Sequence, residues 1–390
     1  MPSLPLPDEV LLAVSQQLHD TISQEIHQQG GGITFAKFME MALYFPGLGY
    51  YSAGAHKFGV SGDFITAPDI SPLFAQCLAA QIAPLITHQQ HAVLWEIGAG
   101  SGRLAVDLLN NLALQNALPE SYWILEVSAD LRQRQYTLLQ EHCPQWLDKI
   151  KWLTQLPENP FCGVILANEV VDALPVHLFE ISSDGIQERY VSHGPAGFYF
   201  VLGPISHPRL NQYLDLFVLQ NTQLAQPYQS EISLAAMDWL AGISTHLRQG
   251  VLFLVDYGFP ASEYYHPQRN QGTLMCHYQH HNHTDPLHLV GGQDITSHVN
   301  FSALAHQAQE LDLTLEGFTN QASFLINNGL EKFATPGLLG DTRQRLTTAQ
   351  ALKKLTLPSE MGELFKVMAL SRGMAVKLAG FSHFDYRHKL

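Results

Sequence analysis

The 390-residue chain sets 35 Asp and Glu against 21 Lys and Arg, and a formal net charge of −14 excludes a broad phosphate-binding face for nucleic acid. With 46% hydrophobic and 14% charged residues it has ample material for a core, which excludes a disordered chain and leaves room for one large α/β domain with an insertion, or for two domains. Cys77, Cys143, Cys162 and Cys276 are scattered without a CxxC pair, which argues against a disulfide framework or a cysteine zinc site and suits a reducing compartment.

In chain order, the apolar spacing of residues 11–26 predicts a leading amphipathic helix. No apolar run reaches membrane-span length, and the first basic residue is Lys37, so neither a secretory leader nor an Arg-rich transit peptide is expected and the chain reads as cytoplasmic. From residue 92 short apolar runs alternate with helical stretches, the rhythm of a parallel sheet covered by helices. Strand 92–98 is followed by helix 102–115, with Leu104, Leu108 and Leu112 four apart; strand 122–128 is followed by helix 129–142. Residues 161–179 read as strand then loop, closed by Pro175. A hairpin over 186–203, turning at His193-Gly194-Pro195, breaks the rhythm and marks an insertion. Helical periodicity returns over 230–247 with Ser230 as a cap, and 250–259 is another buried strand. Residues 260–300 are weakly periodic, as in a functional loop or lid, and 313–329 and 365–373 supply the last strands.

A glycine turn between strand and helix lets backbone approach a ligand and aims helix N-terminal amides at it. A dinucleotide fingerprint needs glycines at i, i+2 and i+5, but position 103 is Arg103. The observed Glu96, Gly98, Gly100, Gly102 is E-x-G-x-G-x-G, a pattern associated with class I S-adenosylmethionine-dependent methyltransferases. Glu126, with Val127 beside it, ends the next strand, where a carboxylate can accept hydrogen bonds from both hydroxyls of a ribose. The plainer alternative is an ordinary βα turn with an acid at a strand end.

Six segments sharpen this: KFGVSGDFITAPDISPLFAQCLAAQI (57–82), LWEIGAGSGRLAVDLL (94–109), LEVSADLRQRQ (125–135), NEVVDALPVHLF (168–179), LVDYGFP (254–260) and GGQDITSHVNF (291–301). Together, in this order, they resemble the MidA-like methyltransferases, a bacterial and mitochondrial family whose mitochondrial members assist assembly of respiratory complex I. The likeness spans about residues 30–375, with Asn300 where the family pattern suggests Asp and an unusually His-rich 277–288. It implies a Rossmann-like, doubly wound, mostly parallel seven-stranded sheet with an N-terminal helical extension and insertions. The parts are then 1–90 as extension and lid, 91–180 and 248–390 as methyltransferase core, 181–247 as an insertion and 260–300 as a loop insertion. The resemblance further implies S-adenosylmethionine as cofactor and protein arginine as acceptor, the relatives being understood to modify the 49-kDa-type subunit of complex I.

Arginine is a hard acceptor, because guanidinium stays protonated and its lone pairs are delocalised. Carboxylates that grip two of its nitrogens can localise the charge away from the attacking one. Glu169 and Asp172, beside Asn168, lie in the loop where arginine methyltransferases generally keep such acids; Glu169 is the expected orienting acid and Asp172 its helper, with a salt bridge and a helix cap as their respective plain alternatives. By the same resemblance, Gly62, Asp63, Phe64 and Thr66 cover the cofactor or shape the acceptor channel, and Asp69 or Ser71 begins a helix. Asp256, Tyr257 and His298 are expected to meet substrate, with buried structural roles equally open for Asp256 and His298. The irregular spacing of Cys276 and the histidines of 277–288 favours solvated loop residues over a metal. The expected partner is a protein presenting an arginine, in relatives a complex I subunit, rather than nucleic acid or membrane. Two other readings stand beside this one: a non-catalytic assembly scaffold keeping the cofactor fold, and a methyltransferase for another protein or a small molecule.

Overall fold

The computed structural model describes residues 4–52, 66–220, 224 and 226–390. Its central sheet has seven main strands: β1 Val93–Ile97, β2 Ser121–Leu125, β3 Ile150–Leu153, β4 Phe161–Asn168, β5 Leu247–Phe259, β6 Thr314–Asn320 and β7 Phe365–Arg372. Their spatial order is β6-β7-β5-β4-β1-β2-β3. β1 to β5 run parallel, and β7 lies antiparallel between β5 and β6.

The inner strands are mostly apolar runs because helices cover both faces, with acids such as Glu96 and Asp256 near their carboxyl ends. Along β1 successive side chains alternate between them. Leu94 joins a core with Phe74, Leu78, Leu104 and Leu108, from the helices Pro72–Thr87 and Arg103–Leu114. Trp95 joins the opposite core with Leu240 and Phe301, from Leu234–Ser244 and Phe301–Glu310. The helix Ala129–His142 begins where expected, with the Ser128 hydroxyl accepting the Leu131 N–H at 3.4 Å.

A second, antiparallel sheet is built from Ile33–Thr34, His177–Ser182, Gly185–Gly194, Gly197–Gly203 and Tyr228–Ile232. The expected hairpin is its middle. The leading helix Glu9–Gln28 buries Leu18, Ile22 and Ile26 in a third core with Phe35, Phe38, Leu178 and Val191, so the N-terminal segment and the insertion pack as one layer.

Two readings from sequence are corrected here. The helix expected over 230–247 starts at Leu234, capped by Ser233, whose Oγ accepts the Ala236 N–H at 3.1 Å. Ser230 instead lies in the strand Tyr228–Ile232, which pairs with His177–Ser182 and so gains long-range partners that local periodicity cannot register. The weakly periodic 260–300 contains a small sheet of Met275–Tyr278, His281–His283 and Asp294–Thr296. Its hairpin turns at Gln279 and His280, both at positive φ (45° and 63°), a conformation usually signalled by Asn-Gly.

Strand register prepares the site. Ile97 pairs with Leu125 and Ala167, and Asn168 pairs with Val255. The residues that follow these positions, Gly98, Glu126, Glu169 and Asp256, therefore stand in one row at the carboxyl edge, where the strand order reverses about β1.

Candidate active site

At that edge a cavity is lined by Glu96, Gly98, Ala99, Gly100, Ser101 and Leu104 from the glycine turn, and by Asn168, Glu169 and Asp172 from the tip of β4. Tyr51, Thr66, Pro68, Asp69 and Asp294 close it. Five of these side chains are carboxylic acids, and among the described lining residues none is Lys or Arg.

Gly98, Gly100 and Gly102 have φ of 69°, 51° and 82°, a region open mainly to glycine. A Cβ on Gly98 would sit 2.8 Å from Val170 Cγ2, and one on Gly102 3.2 Å from Gln135 Cγ. The turn is thus a bare backbone cradle closed from behind by side chains, and the helix Arg103–Leu114 starts directly after it. Glu96 is buried at the end of β1, where it accepts the Tyr122 hydroxyl at 2.6 Å, and burial lifts its carboxyl to about 7.

Glu126 is 8% exposed at the tip of β2, and burial raises its pKa while the Ser128 N–H and Gln135 favour its charged form. Oε1 accepts the Ser128 N–H at 2.9 Å and Oε2 accepts Gln135 Nε2 at 3.2 Å. These bonds leave the carboxylate further acceptor capacity. Neither Glu126 nor the 74% exposed Val127 beside it is among the residues lining the cavity; Glu126 reaches the site through Gln135.

Gln135 was missed from sequence. It is fully buried on Ala129–His142; Nε2 also donates to the Gly100 carbonyl at 3.0 Å, and Oε1 accepts Trp152 Nε1 at 3.0 Å. One amide therefore fastens the glycine turn to the acid of the next strand. Replacing it by Met keeps the volume and removes these bonds, so Gln135→Met is expected to weaken S-adenosylmethionine binding about tenfold and to lower Tm, as read by calorimetry and thermal melting.

Glu169 has φ of 54°, a left-handed backbone that costs a non-glycine residue about 1 kcal/mol or more and persists only where the surroundings enforce it. The enforcing group is Asp256. Its Oδ2 accepts the N–H groups of Val170, Val171 and Asp172 at 3.2, 2.9 and 3.2 Å, and its Oδ1 accepts the Tyr257 N–H at 2.9 Å. Asn168 Nδ2 donates to Glu169 Oε1 at 3.2 Å, which fixes the amide's orientation and leaves Asn168 Oδ1 buried and without a partner. Burial, with Asp172 nearby, pushes Glu169 up to about 8; burial lifts Asp172 to about 6 against the bond from Tyr257.

The residues expected to meet substrate stand one layer back. Asp256 is 1% exposed and committed to the loop amides. The Tyr257 hydroxyl donates to Asp172 Oδ2 at 2.5 Å. His298 packs edge-on against Tyr257 and flat on Phe259, with ring centroids 5.1 and 5.0 Å apart, and burial lowers its pKa to about 4. None of the three lines the cavity.

Thr66 does line it, while Gly62, Asp63 and Phe64 lie outside the described residues. Asp69, read from sequence as a helix start, bridges two parts of the site: Oδ1 accepts the Ser101 hydroxyl at 3.1 Å and Oδ2 the Thr66 hydroxyl at 2.9 Å. Ser71 begins the next helix, accepting the Leu73 N–H at 3.3 Å. Tyr51, Ser101 and Asp294 were not singled out from sequence, since a strand-tip pattern does not say which distant segments fold over the edge.

Residues 77–319 match the family model described as "Putative S-adenosyl-L-methionine-dependent methyltransferase". The chain is similar along its whole length to a Burkholderia thailandensis protein whose crystal structure holds S-adenosyl-homocysteine, at 41% identity with all of both chains covered and a TM-score of 0.93. It is 30% identical over 379 residues to the mitochondrial protein arginine methyltransferase NDUFAF7 of Bos taurus, covering 87% of this chain and 80% of that protein. The Rattus norvegicus protein of the same name is 29% identical over 371 residues, covering 87% and 81%.

Proposed function

The chain belongs to the MidA-like family of S-adenosylmethionine-dependent methyltransferases, and from that premise we propose that it methylates arginine in a protein substrate, with Glu169 and Asp172 holding the guanidinium. The observation that carries this reading is the cavity itself: it joins the glycine turn to a set of carboxylic acids, with no basic side chain among its described lining residues. Such a lining repels phosphate and carboxylate substrates and attracts a cation rich in donors.

The residues present fit the cofactor. Gly98, Gly100 and Gly102 give it backbone to lie against, Glu126 gives its ribose an acceptor, and Glu96 and Thr66 flank it. When bound, S-adenosylmethionine supplies an electrophilic methyl group on sulfonium for in-line displacement by a nucleophile. The protein's part is positioning and charge. Glu169 and Asp172 accept N–H groups of the arginine, and Asn168 Oδ1 offers a further buried acceptor. In the transfer the S–CH3 bond would break with its electron pair left on sulfur, giving S-adenosylhomocysteine, as the N–CH3 bond forms; the nitrogen's proton would pass to Glu169, which is protonated in the free protein and which the bound guanidinium cation would hold ionised until then, so the methylated arginine leaves as a cation. Asp256, Tyr257 and His298 keep the loop and Asp172 in place.

The names of the mitochondrial relatives support a protein acceptor, and the family resemblance favours a respiratory complex I subunit. Among the described residues no helix is long and apolar enough to cross a membrane. The singly placed cysteines favour a cytoplasmic setting.

Burial makes a pH prediction. With its folded pKa raised from 4.5 to about 8, Glu169 binds a proton in the folded state that the unfolded chain releases. Its contribution to stability is full below pH 4.5 and is lost as pH rises towards about 8, at up to about 1.4 kcal/mol per pH unit. The Tm of the cofactor-free protein should fall across this window, and Glu169→Gln should flatten the slope; equal slopes in the two proteins would show that Glu169 ionises normally. The acceptor itself is tested by incubating the purified chain and labelled S-adenosylmethionine with a purified 49-kDa-type complex I subunit. Label recovered as methylarginine supports the reading, and label on any other residue type opposes it.

A further inference from the structure

The basic residues of the chain are unevenly spread. The helices Leu330–Leu338 and Thr342–Thr356, with the turn between them, carry Lys332, Arg343, Arg345, Lys353 and Lys354 against Glu331 and Asp341. Totals of 21 basic and 35 acidic residues leave the rest of the chain with 16 against 33, so this helix pair is a positive patch on an otherwise negative protein. All five cations are exposed, and among the described residues none of them forms an ion pair, in contrast to Arg103 with Asp107 and Arg134 with Asp130. Asp341 is engaged in the helix cap, where its Oδ1 accepts the Gln344 N–H at 2.8 Å.

Part of the patch lines a groove. Phe333 and Pro336 on one helix and Arg343 and Thr347 on the other line it together with Ser71 and Pro72, where the helix Pro72–Thr87 begins. The two basic helices are closely packed, because Gly337 leaves no room for a Cβ beside the Thr348 hydroxyl. Helical period puts further charge on the same sides, with Lys332 one turn before Pro336 and Lys354 three turns after Arg343. The groove adjoins the acidic cavity. Thr66, Pro68 and Asp69 line the cavity, Ser71 and Pro72 just after them line the groove, and the turn Ala67–Ile70 packs against Thr342–Thr356.

An arginine bound at Glu169 belongs to a longer chain, and the residues flanking it must cross the rim of the cavity. Acidic flanking residues are repelled by the cavity's own carboxylic acids and attracted by Arg343, Lys354 and Lys332 across the turn. A nucleic acid is anionic throughout, so the neighbouring carboxylic acids oppose it. A lipid surface is flat and does not enter a groove between helices. A peptide can change sign along its length. We propose that the groove docks an acidic segment of the protein substrate on Arg343, Lys354 and Lys332 while the arginine of the same chain occupies the cavity. This rests on the arginine reading above and adds to it the charge of the sequence that flanks the arginine.

The test uses the full chain saturated with S-adenosylhomocysteine and titrated, by fluorescence polarisation, with labelled Gly-Ser peptides that each carry one arginine. In one set a run of Glu follows the arginine beyond flexible spacers of several lengths, in a second the run precedes it, and in a third Gln replaces Glu. At least one Glu peptide should bind about tenfold more tightly than its Gln counterpart, and the advantage should shrink at about 0.5 M salt, where screening leaves a reach of only a few Å. Arg343→Glu combined with Lys354→Glu should bring the ratio below about threefold, with S-adenosylhomocysteine affinity and methylation of the Gln peptide unchanged. Arg343→Gln combined with Lys354→Gln should fall between. A wild type that prefers no Glu peptide overturns the groove and leaves the arginine reading standing. A preference that survives charge reversal also overturns it, by placing the contact elsewhere. Tighter binding of a short oligonucleotide or of phosphatidylglycerol vesicles than of any Glu peptide, lost in the reversed variant, gives the groove a different occupant and overturns the proposal. Equal affinity for the Gln peptide and its citrulline counterpart overturns the arginine reading, and this proposal with it.

Discussion

Glu169→Gln should lower methyl transfer to arginine by about 10²- to 10⁴-fold in kcat while leaving S-adenosylmethionine affinity unchanged. The substitution keeps side-chain length and the Asn168 contact at Oε1, and the Asp256 clamp on the following amides does not involve the Glu169 side chain. What it removes is the negative charge facing the guanidinium and the oxygen that receives its proton. The proposed cofactor contacts lie on other strands, at Gly98 to Gly102 and Glu126, so binding and chemistry are expected to separate. Single-turnover transfer of a labelled methyl group measures the first, and calorimetry with S-adenosylmethionine the second. A scaffold that only retained the cofactor fold would support its partner equally well with Gln at this position. Retention of most of the transfer rate would therefore remove Glu169 from the chemistry.

The second large effect belongs to Glu126. Glu126→Ala should weaken S-adenosylmethionine binding by about 10- to 100-fold, the loss expected when charge-assisted hydrogen bonds to ribose hydroxyls are removed. Because Ser128 N–H and Gln135 Nε2 also lose an acceptor, stability should fall by about 1–3 kcal/mol, seen as a lower Tm, with the fold retained. Far-ultraviolet circular dichroism checks the fold and calorimetry checks the affinity. Unchanged affinity would place the ribose elsewhere.

How far the sequence carried these assignments differs along the chain. The βα alternation was legible because buried parallel strands are mostly apolar and their helices repeat leucines at four-residue spacing, as in Leu104, Leu108 and Leu112. The glycine turn and Glu126 were legible for a related reason: strand tips recur at fixed places in an alternating fold, and register alone puts Gly98, Glu126 and Glu169 in one row.

What was illegible depends on contacts between distant segments. Asp294 and Tyr51 are 243 residues apart and meet only because the N-terminal helices and the insertion share a core. The strand Tyr228–Ile232 was masked by helical periodicity that continues into Leu234–Ser244. Asp256 looked like a substrate contact because it ends an apolar strand at the right edge. Its neighbours' N–H groups fold back onto it, and that reversal depends on the left-handed Glu169, which periodicity does not report. Asp256 thereby serves the site as the anchor of the loop that presents Glu169 and Asp172.

The central claim is that the acidic cavity at the end of β4 accepts arginine. Mass spectrometry of cellular protein with and without this chain, with Glu169→Gln restored in a third arm, tests it most directly. The account predicts a methylarginine on a protein that is present with the wild-type chain and missing both from cells lacking the chain and from cells carrying only Glu169→Gln. A methylarginine inventory identical in all three arms, or a site that persists with Glu169→Gln, would contradict it.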